Sequence, residues 1–412
     1  MSFTKDRQYY KFCMYGFLKN LRFFDAFFLL YLKQKGLTYT EIGSLYALRE
    51  IVTNLSEVPT GIFADTFGRK KSLMLSFLAY ITSFVLFYTG YSYSVFLLAF
   101  ILYGIADALR SGTHKGMIMK YLRLKNESKH KITYYGHTRA CSQRGSALSA
   151  LIAGLIVYYT GNYNQIFLLS IIPYLLNLIL VWTYPDELDF SDPKQRHNIK
   201  QNMAALWYAL KNPKVIGIVH SSAVFTAFQK ASKDYIQPVM KKVALALPVL
   251  IGIATTKKTG LLIGIMYTIL YLLTATASKY AGVLTGKFKN LSYKSLIFGF
   301  VLGIIGGYFY EIHAWTWALV ALSGIYVMQS LRKPILTGYL ADEVPNEILT
   351  SVLSAESLYR TLLTALIALI LGVIADTYGL AMAFIGVSGL LLVLSVLIHR
   401  KKTLIRKKWE NT

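Results

Sequence analysis

Cysteine is nearly missing from this chain: Cys13 and Cys141 are the only two in 412 residues. No disulfide framework and no thiolate metal spacing can be built from such a pair. Histidine is also sparse, at seven scattered residues. His114, His130 and His137 share one basic segment but no His-x-x-x-His spacing, so they are expected to be solvated, and no metal or cofactor is expected. Charge is low at 16%, against about 25% in soluble proteins, and acid is lowest: 20 Asp and Glu face 44 Lys and Arg. A soluble protein with the resulting net charge of +24 would be read as a nucleic-acid binder. That reading is excluded because the basic residues sit in short clusters between long apolar runs. No P-loop sequence is present, so nucleotide-driven chemistry is not expected. No cleavable signal peptide is expected either, since Met1 to Lys11 is polar.

What the chain has is hydrophobicity: 55% apolar residues and a mean hydropathy of +0.44. A spanning helix needs about 20 mostly apolar residues. Twelve stretches qualify, at 11–33, 42–63, 72–92, 94–113, 138–159, 164–183, 214–240, 259–283, 294–311, 314–338, 351–375 and 380–399. The first, second and seventh carry internal charges and are the weakest by hydropathy. The runs are continuous and not alternating, which indicates helices in lipid, not a β-barrel. The expected fold is an all-α membrane protein.

Lys and Arg orient it. With the N-terminus inside, the inner connections carry clusters such as Arg69–Lys71, Lys115–Lys131, Lys194–Lys211, Arg332–Lys333 and Arg400–Lys408. The outer ones hold only Lys33, Lys35, Lys241, Lys242, Lys257 and Lys258. Both termini are therefore expected in the cytoplasm. The polar stretch 184–213 divides a bundle at 1–183 from one at 214–412, and Gln195 to Leu210 within it is amphipathic, either a surface helix or a solvated loop. A half repeat agrees: glycines seven apart close the fifth run at Gly154 and Gly161 and the eleventh at Gly372 and Gly379.

Between the second and third runs lies Gly61-Ile-Phe-Ala-Asp65-Thr-Phe-Gly68-Arg69-Lys70-Lys71. It resembles the signature loop of the major facilitator superfamily, Gly-x-x-x-Asp-(Arg/Lys)-x-Gly-x-(Arg/Lys)-(Arg/Lys), with Thr66 departing from the pattern. The resemblance implies two six-helix bundles forming a secondary transporter, and no enzyme. It implies that Asp65 docks on the N-terminus of the eleventh helix, where the helix dipole favours an anion. Gly61 would allow close helix approach, Gly68 a tight turn with positive φ, and the three bases would hold the loop inside. The equivalent segment of the second half, 282–289, lacks the acid.

Ionisable residues at bilayer depth cost about 2.5–3.5 kcal/mol each on insertion scales. Lys19, Arg22 and Asp25 fall mid-way along the first run, and their spacing of three predicts one helical face. Asp107 and Arg110 repeat that spacing in the fourth run, and Lys230, Lys233 and Asp234 lie in the seventh. In the resembling family the first, fourth, seventh and tenth helices line the central cavity. These eight residues are then candidates for a substrate and proton site, with Asp25 the first coupling acid and Asp107 the second. Structural ion pairing and snorkelling are the competing readings. Glu57, Arg139, Arg144, Glu356 and Arg360 are candidates for gate ion pairs. The cavity set leans basic, which points to an anionic or zwitterionic small molecule; a balanced set would fit an amphipathic or cationic one.

The fifth run has Gly145 and Gly154 at the first spacing of the drug–proton antiporter motif, but Tyr158 and Tyr159 where Gly-Pro belongs. Export remains the expected direction, on the short loops alone. The alternatives are a lipid flippase, for which the apolar turn between Lys242 and Lys257 is the cue, and a membrane-embedded enzyme, for which no catalytic cluster appears. The expected setting is a bacterial cytoplasmic membrane, and the expected working form a monomer.

Overall fold

The computed structural model describes residues 5–127, 130–189, 212–285, 291–344 and 346–410. The amphipathic stretch 195–210 and residues 286–289 of 282–289 lie outside them. Among the described residues the secondary structure is helical and contains no strand. In chain order the α-helices are α1 (Arg7–Lys19), α2 (Phe28–Gln34), α3 (Tyr39–Phe67), α4 (Arg69–Thr89), α5 (Tyr93–Arg110), α6 (Thr113–Leu124), α7 (Lys131–Thr160) and α8 (Gln165–Trp182). The second half has α9 (Pro213–Ser232), α10 (Ile236–Ala246), α11 (Thr255–Thr285), α12 (Leu291–Glu311), α13 (Trp315–Glu343), α14 (Asn346–Thr377) and α15 (Gly379–Glu410). Eight are long and apolar enough to cross a membrane, α5 counting together with α6. The chain is an all-α integral membrane protein.

The four remaining expected spans are the broken or charged ones. The first is not the continuous helix expected at 11–33. It ends at Lys19, passes through a 3-10 turn at Phe23–Ala26 and resumes as α2. The shared helical face expected for Lys19, Arg22 and Asp25 is therefore not formed. Asn20 ends α1 by donating its side-chain amide to the Gly16 carbonyl (2.7 Å). Aromatic packing then fixes the turn: Phe24 stacks on Phe167 (5.5 Å) and tilts against Phe84 (5.1 Å). The seventh span, expected at 214–240, changes more mildly: it tightens to a 3-10 turn over Lys233–Tyr235, with the backbone on either side still in the right-handed helical region. A discontinuous helix such as the first frees backbone groups and side chains for ligands. The tenth, expected at 314–338, continues to Glu343, and Arg332, counted above among the inner cations, lies well inside it. It is buried at 2% exposure and donates to Ser221, Ser295 and the Ser292 carbonyl.

The described residues form two compact units. Residues 5–37, 48–189 and 244–272 make the first, and 38–47, 212–243 and 273–410 the second. In the first unit α7 and α11 cross on glycine: a Cβ on Gly264 would stand 2.7 Å from the Gly154 Cα and 2.8 Å from the Ala150 carbonyl. Backbone cannot yield as a flexible side chain can. Gly264→Ala should therefore destabilise the protein by about 1–3 kcal/mol. Gly389→Ala, at a position with open space around it, should not. Thermal unfolding in detergent, read by size exclusion, checks the pair.

Candidate functional site

The signature loop is organised by a carboxylate that the sequence does not advertise. Asp189, one residue beyond the short 3-10 turn that follows α8, accepts the Lys70 backbone N–H (2.6 Å), and its carbonyl accepts that of Arg69 (2.8 Å). An acid thereby caps the N-terminus of α4, where both unsatisfied donors and the dipole favour it. Gly68 is required twice over. Its φ is +106°, and a Cβ there would meet the Asp189 carboxylate at 2.5 Å. The Lys70 ammonium pairs with Asp186 (2.8 Å), and that hydrogen bond holds the Asp186 carboxyl below the usual carboxylate range. Arg69 packs against Gly116, while Lys71 is exposed. Asp65 is exposed and accepts no hydrogen bond from a described residue. No described atom stands within 4 Å of where a Cβ on Gly61 would lie.

The first unit holds a cavity of about 430 Å³ lined by Tyr15, Lys19, Arg110, His114, Lys115 and Arg139, with Asn20, Thr138, Ser142, Gln143 and Ser146 supplying neutral polar groups. None of the described lining residues is acidic. Gly16 and Gly145 let α1 and α7 approach closely enough to form its wall: a Cβ on Gly145 would run into the Phe17 carbonyl. Asp107 lies behind the cavity in a triad. Arg110 donates to it (3.1 Å), Tyr80 donates to it as well, and Arg110 Nε donates to Tyr80 (3.2 Å). His114 is not the solvated loop residue expected. Its ring stacks on Tyr15 at 3.6 Å, with Phe12 edge-on at 5.4 Å. His137 is exposed, as expected, and hydrogen-bonds Tyr9 (3.2 Å).

A smaller cavity adjoins Arg22 and Asp25, with Ser146, Ser149 and Tyr271 also on its wall. There Arg22 Nε and Ser149 Oγ are buried without a hydrogen-bond partner among the described residues. The cavities thus share Asn20 and Ser146 and place Lys19, Arg22, Asp25 and Arg110 in one polar region of the first unit.

The other candidates are placed differently. In the second unit Lys233 and Asp234 pair at 3.7 Å in the 3-10 turn between α9 and α10, one turn beyond Lys230. Of the gate candidates, Glu356 and Arg360 pair along their own helix (3.6 Å), and Glu356 also accepts from Ser222 (2.9 Å). Arg139 lines the large cavity instead, Arg144 belongs to the same helix, α7, and Glu57 accepts from Ser111 (3.1 Å).

One carboxylate was missed. Residues 372–379, Gly-Val-Ile-Ala-Asp-Thr-Tyr-Gly, repeat residues 61–68 at five of eight positions, so Asp376 corresponds to Asp65. Asp376 accepts the backbone N–H groups of Tyr39 (2.9 Å) and Thr40 (2.6 Å), the first turn of α3. A direct comparison of the two octapeptides would have found it.

Asp189→Ala should cost about 0.5–2 kcal/mol through loss of the α4 cap. Asp186→Ala, which removes only an exposed pair, should leave the unfolding midpoint in place. Thermal unfolding of the two variants side by side checks the difference.

Comparison with known proteins agrees with this architecture. The profile of the Major Facilitator Superfamily matches residues 20–366. The chain is 24% identical over 380 residues to the uncharacterized MFS-type transporter YxaM of Bacillus subtilis (strain 168), covering 90% of this chain and 89% of that protein. It superposes on a point mutant of the nucleoside transporter NupG with a TM-score of 0.75 at 12% identity, covering 95% and 99% of the two chains. A bacterial homolog of the human lysosomal transporter Spinster gives 0.70 at 14% identity, covering 95% and 96%. The likeness to these structures is one of fold. With its signature loop, its apolar helices and a profile match over most of its length, the chain belongs to the major facilitator superfamily and is a membrane transporter.

Proposed function

We propose that this transporter moves a small anionic or zwitterionic molecule by alternating access, coupled to protons. The observation that carries the reading is the charge of the large cavity: Lys19, Arg110, Lys115 and Arg139 line it without a described acid. A cationic substrate would meet only like charge there. An anion would gain charge-assisted hydrogen bonds from lysine and arginine, and the Tyr15–His114 stack offers an aromatic surface beside them. The four charged or broken elements, α1 with α2, α3, α9 with α10, and α13, would supply the spans that complete twelve, with both termini in the cytoplasm of a bacterial cell. The two halves, 1–183 and 214–412, would be the parallel repeats that such a cycle employs.

Asp107 supplies the coupling logic. It is one hydrogen bond behind Arg110. An anion bound to Arg110 weakens the countercharge on Asp107 and favours its neutral form. Anion and proton would then bind together and travel together, which an inward proton gradient drives as uptake. Export, the direction expected from the short loops, requires the two to compete. Asp25, on the smaller cavity with Arg22, is the carboxylate for that exchange. Lipid flipping is the second reading, favoured by the apolar turn after α10, where Ile251 is 84% exposed.

Purified protein in liposomes loaded with a pH-sensitive dye separates these readings. Proton entry that accompanies anion entry and is lost in Asp107→Asn supports symport. Proton entry only against anion exit, lost in Asp25→Asn, supports exchange. Movement of a labelled lipid with no anion-dependent proton flux overturns the proposal.

A further inference from the structure

We propose that Asp376 is a second latch, built on the same octapeptide as the signature loop and acting at the opposite end of α3. Three independent observations converge on it. The first is the sequence: Gly-x-x-Ala-Asp-Thr-aromatic-Gly closes α3 at 61–68 and recurs at the end of α14 at 372–379. The second is the hydrogen bonding. The Asp376 carboxylate accepts two N–H groups from the first turn of α3, so an anion sits on a helix N-terminus. The third is the packing beneath it. A Cβ on Gly43 would stand 2.5 Å from the Ala368 carbonyl, and one on Gly372 would stand 2.5 Å from the Tyr39 carbonyl. Residues 39–43 therefore run antiparallel to 368–372 in close contact, and Tyr39 also stacks on Tyr235 at 5.8 Å.

The antiparallel crossing explains why one motif occurs twice. When two helices run in opposite directions, the C-terminal end of each reaches the N-terminal end of the other. A helix-closing acid on both can then clasp the partner at either end. Asp376 is engaged at the Tyr39 end. Asp65 and Gly61 stand exposed at the other end of α3. In a cycle with two alternately closed mouths, the two acids are the opposing clasps, and their balance sets the resting population of the two closures. Asp376 is a positioning residue: it touches neither cavity described above.

Electron–electron distance measurements on the full chain, purified in detergent without substrate, test this separately from the substrate reading. In a Cys13→Ala, Cys141→Ala background, labels at Tyr91→Cys and Ile312→Cys report the Tyr39 end. Labels at Leu124→Cys and Asp342→Cys, each at the end of its helix, would read the other end under the proposal. All four sites are exposed. Asp376→Asn is expected to shift the 91–312 distances toward an open population by about three- to thirtyfold, the scale of a charge at a helix terminus. Asp65→Asn is expected to open the 124–342 pair, and combining the two should return the balance toward that of the parent. Tyr39→Pro removes one of the two donors at a position where the first turn of a helix tolerates proline. It should reproduce the Asp376→Asn shift beyond that of Tyr39→Ala. Unchanged 91–312 distances in monodisperse Asp376→Asn and Tyr39→Pro proteins overturn the proposal.

Discussion

The charged interior of the first unit answers to one constraint: a charge held at membrane depth needs a partner or a wet space. Asp107 takes the first solution, bonded to Arg110 and Tyr80. Lys19 takes the second, on the wall of the large cavity. Replacing such a paired set by apolar residues of similar volume commonly costs nothing in stability. The retention of so many basic side chains around one space is therefore better explained by what the space must hold than by folding.

The helix breaks follow from the same constraint. A continuous α-helix satisfies its own backbone and offers lipid only side chains. At 20–27 the chain gives that up beside Asp25, and at 233–235 it tightens to a 3-10 turn beside Asp234. The aromatic residues around Phe24 make the first break tolerable by packing it densely. Small residues serve the reverse purpose elsewhere: at Gly154 with Gly264, and at Gly43 with Gly372, backbone approaches backbone in the way membrane helices use for association.

Most of the fold was legible in the sequence, because lipid imposes length and hydropathy on every spanning run and the signature loop names its own place. The breaks were not legible. No glycine or proline marks 20–27; the turn there is held by Phe24 packing on Phe167, residues far apart in the chain. Asp189 was hidden for a similar reason, since its partner is a helix start far earlier in the chain. His114 looked like a loop residue because its segment is basic, and only the fold brings Tyr15 against its ring. Asp376 is the opposite case. Matching 372–379 to 154–161 by glycine spacing hides the acid, while matching it to 61–68 exposes it.

The central claim is that the basic cavity selects an anion. It is tested most directly by the thermal stability of the purified protein against a panel of small carboxylates, amino acids and organic cations. The account predicts that one or more anions raise the unfolding midpoint, and that the rise disappears in both Lys19→Gln and Arg110→Gln. Stabilisation by the cations alone, or by anions equally well in those two variants, would contradict it.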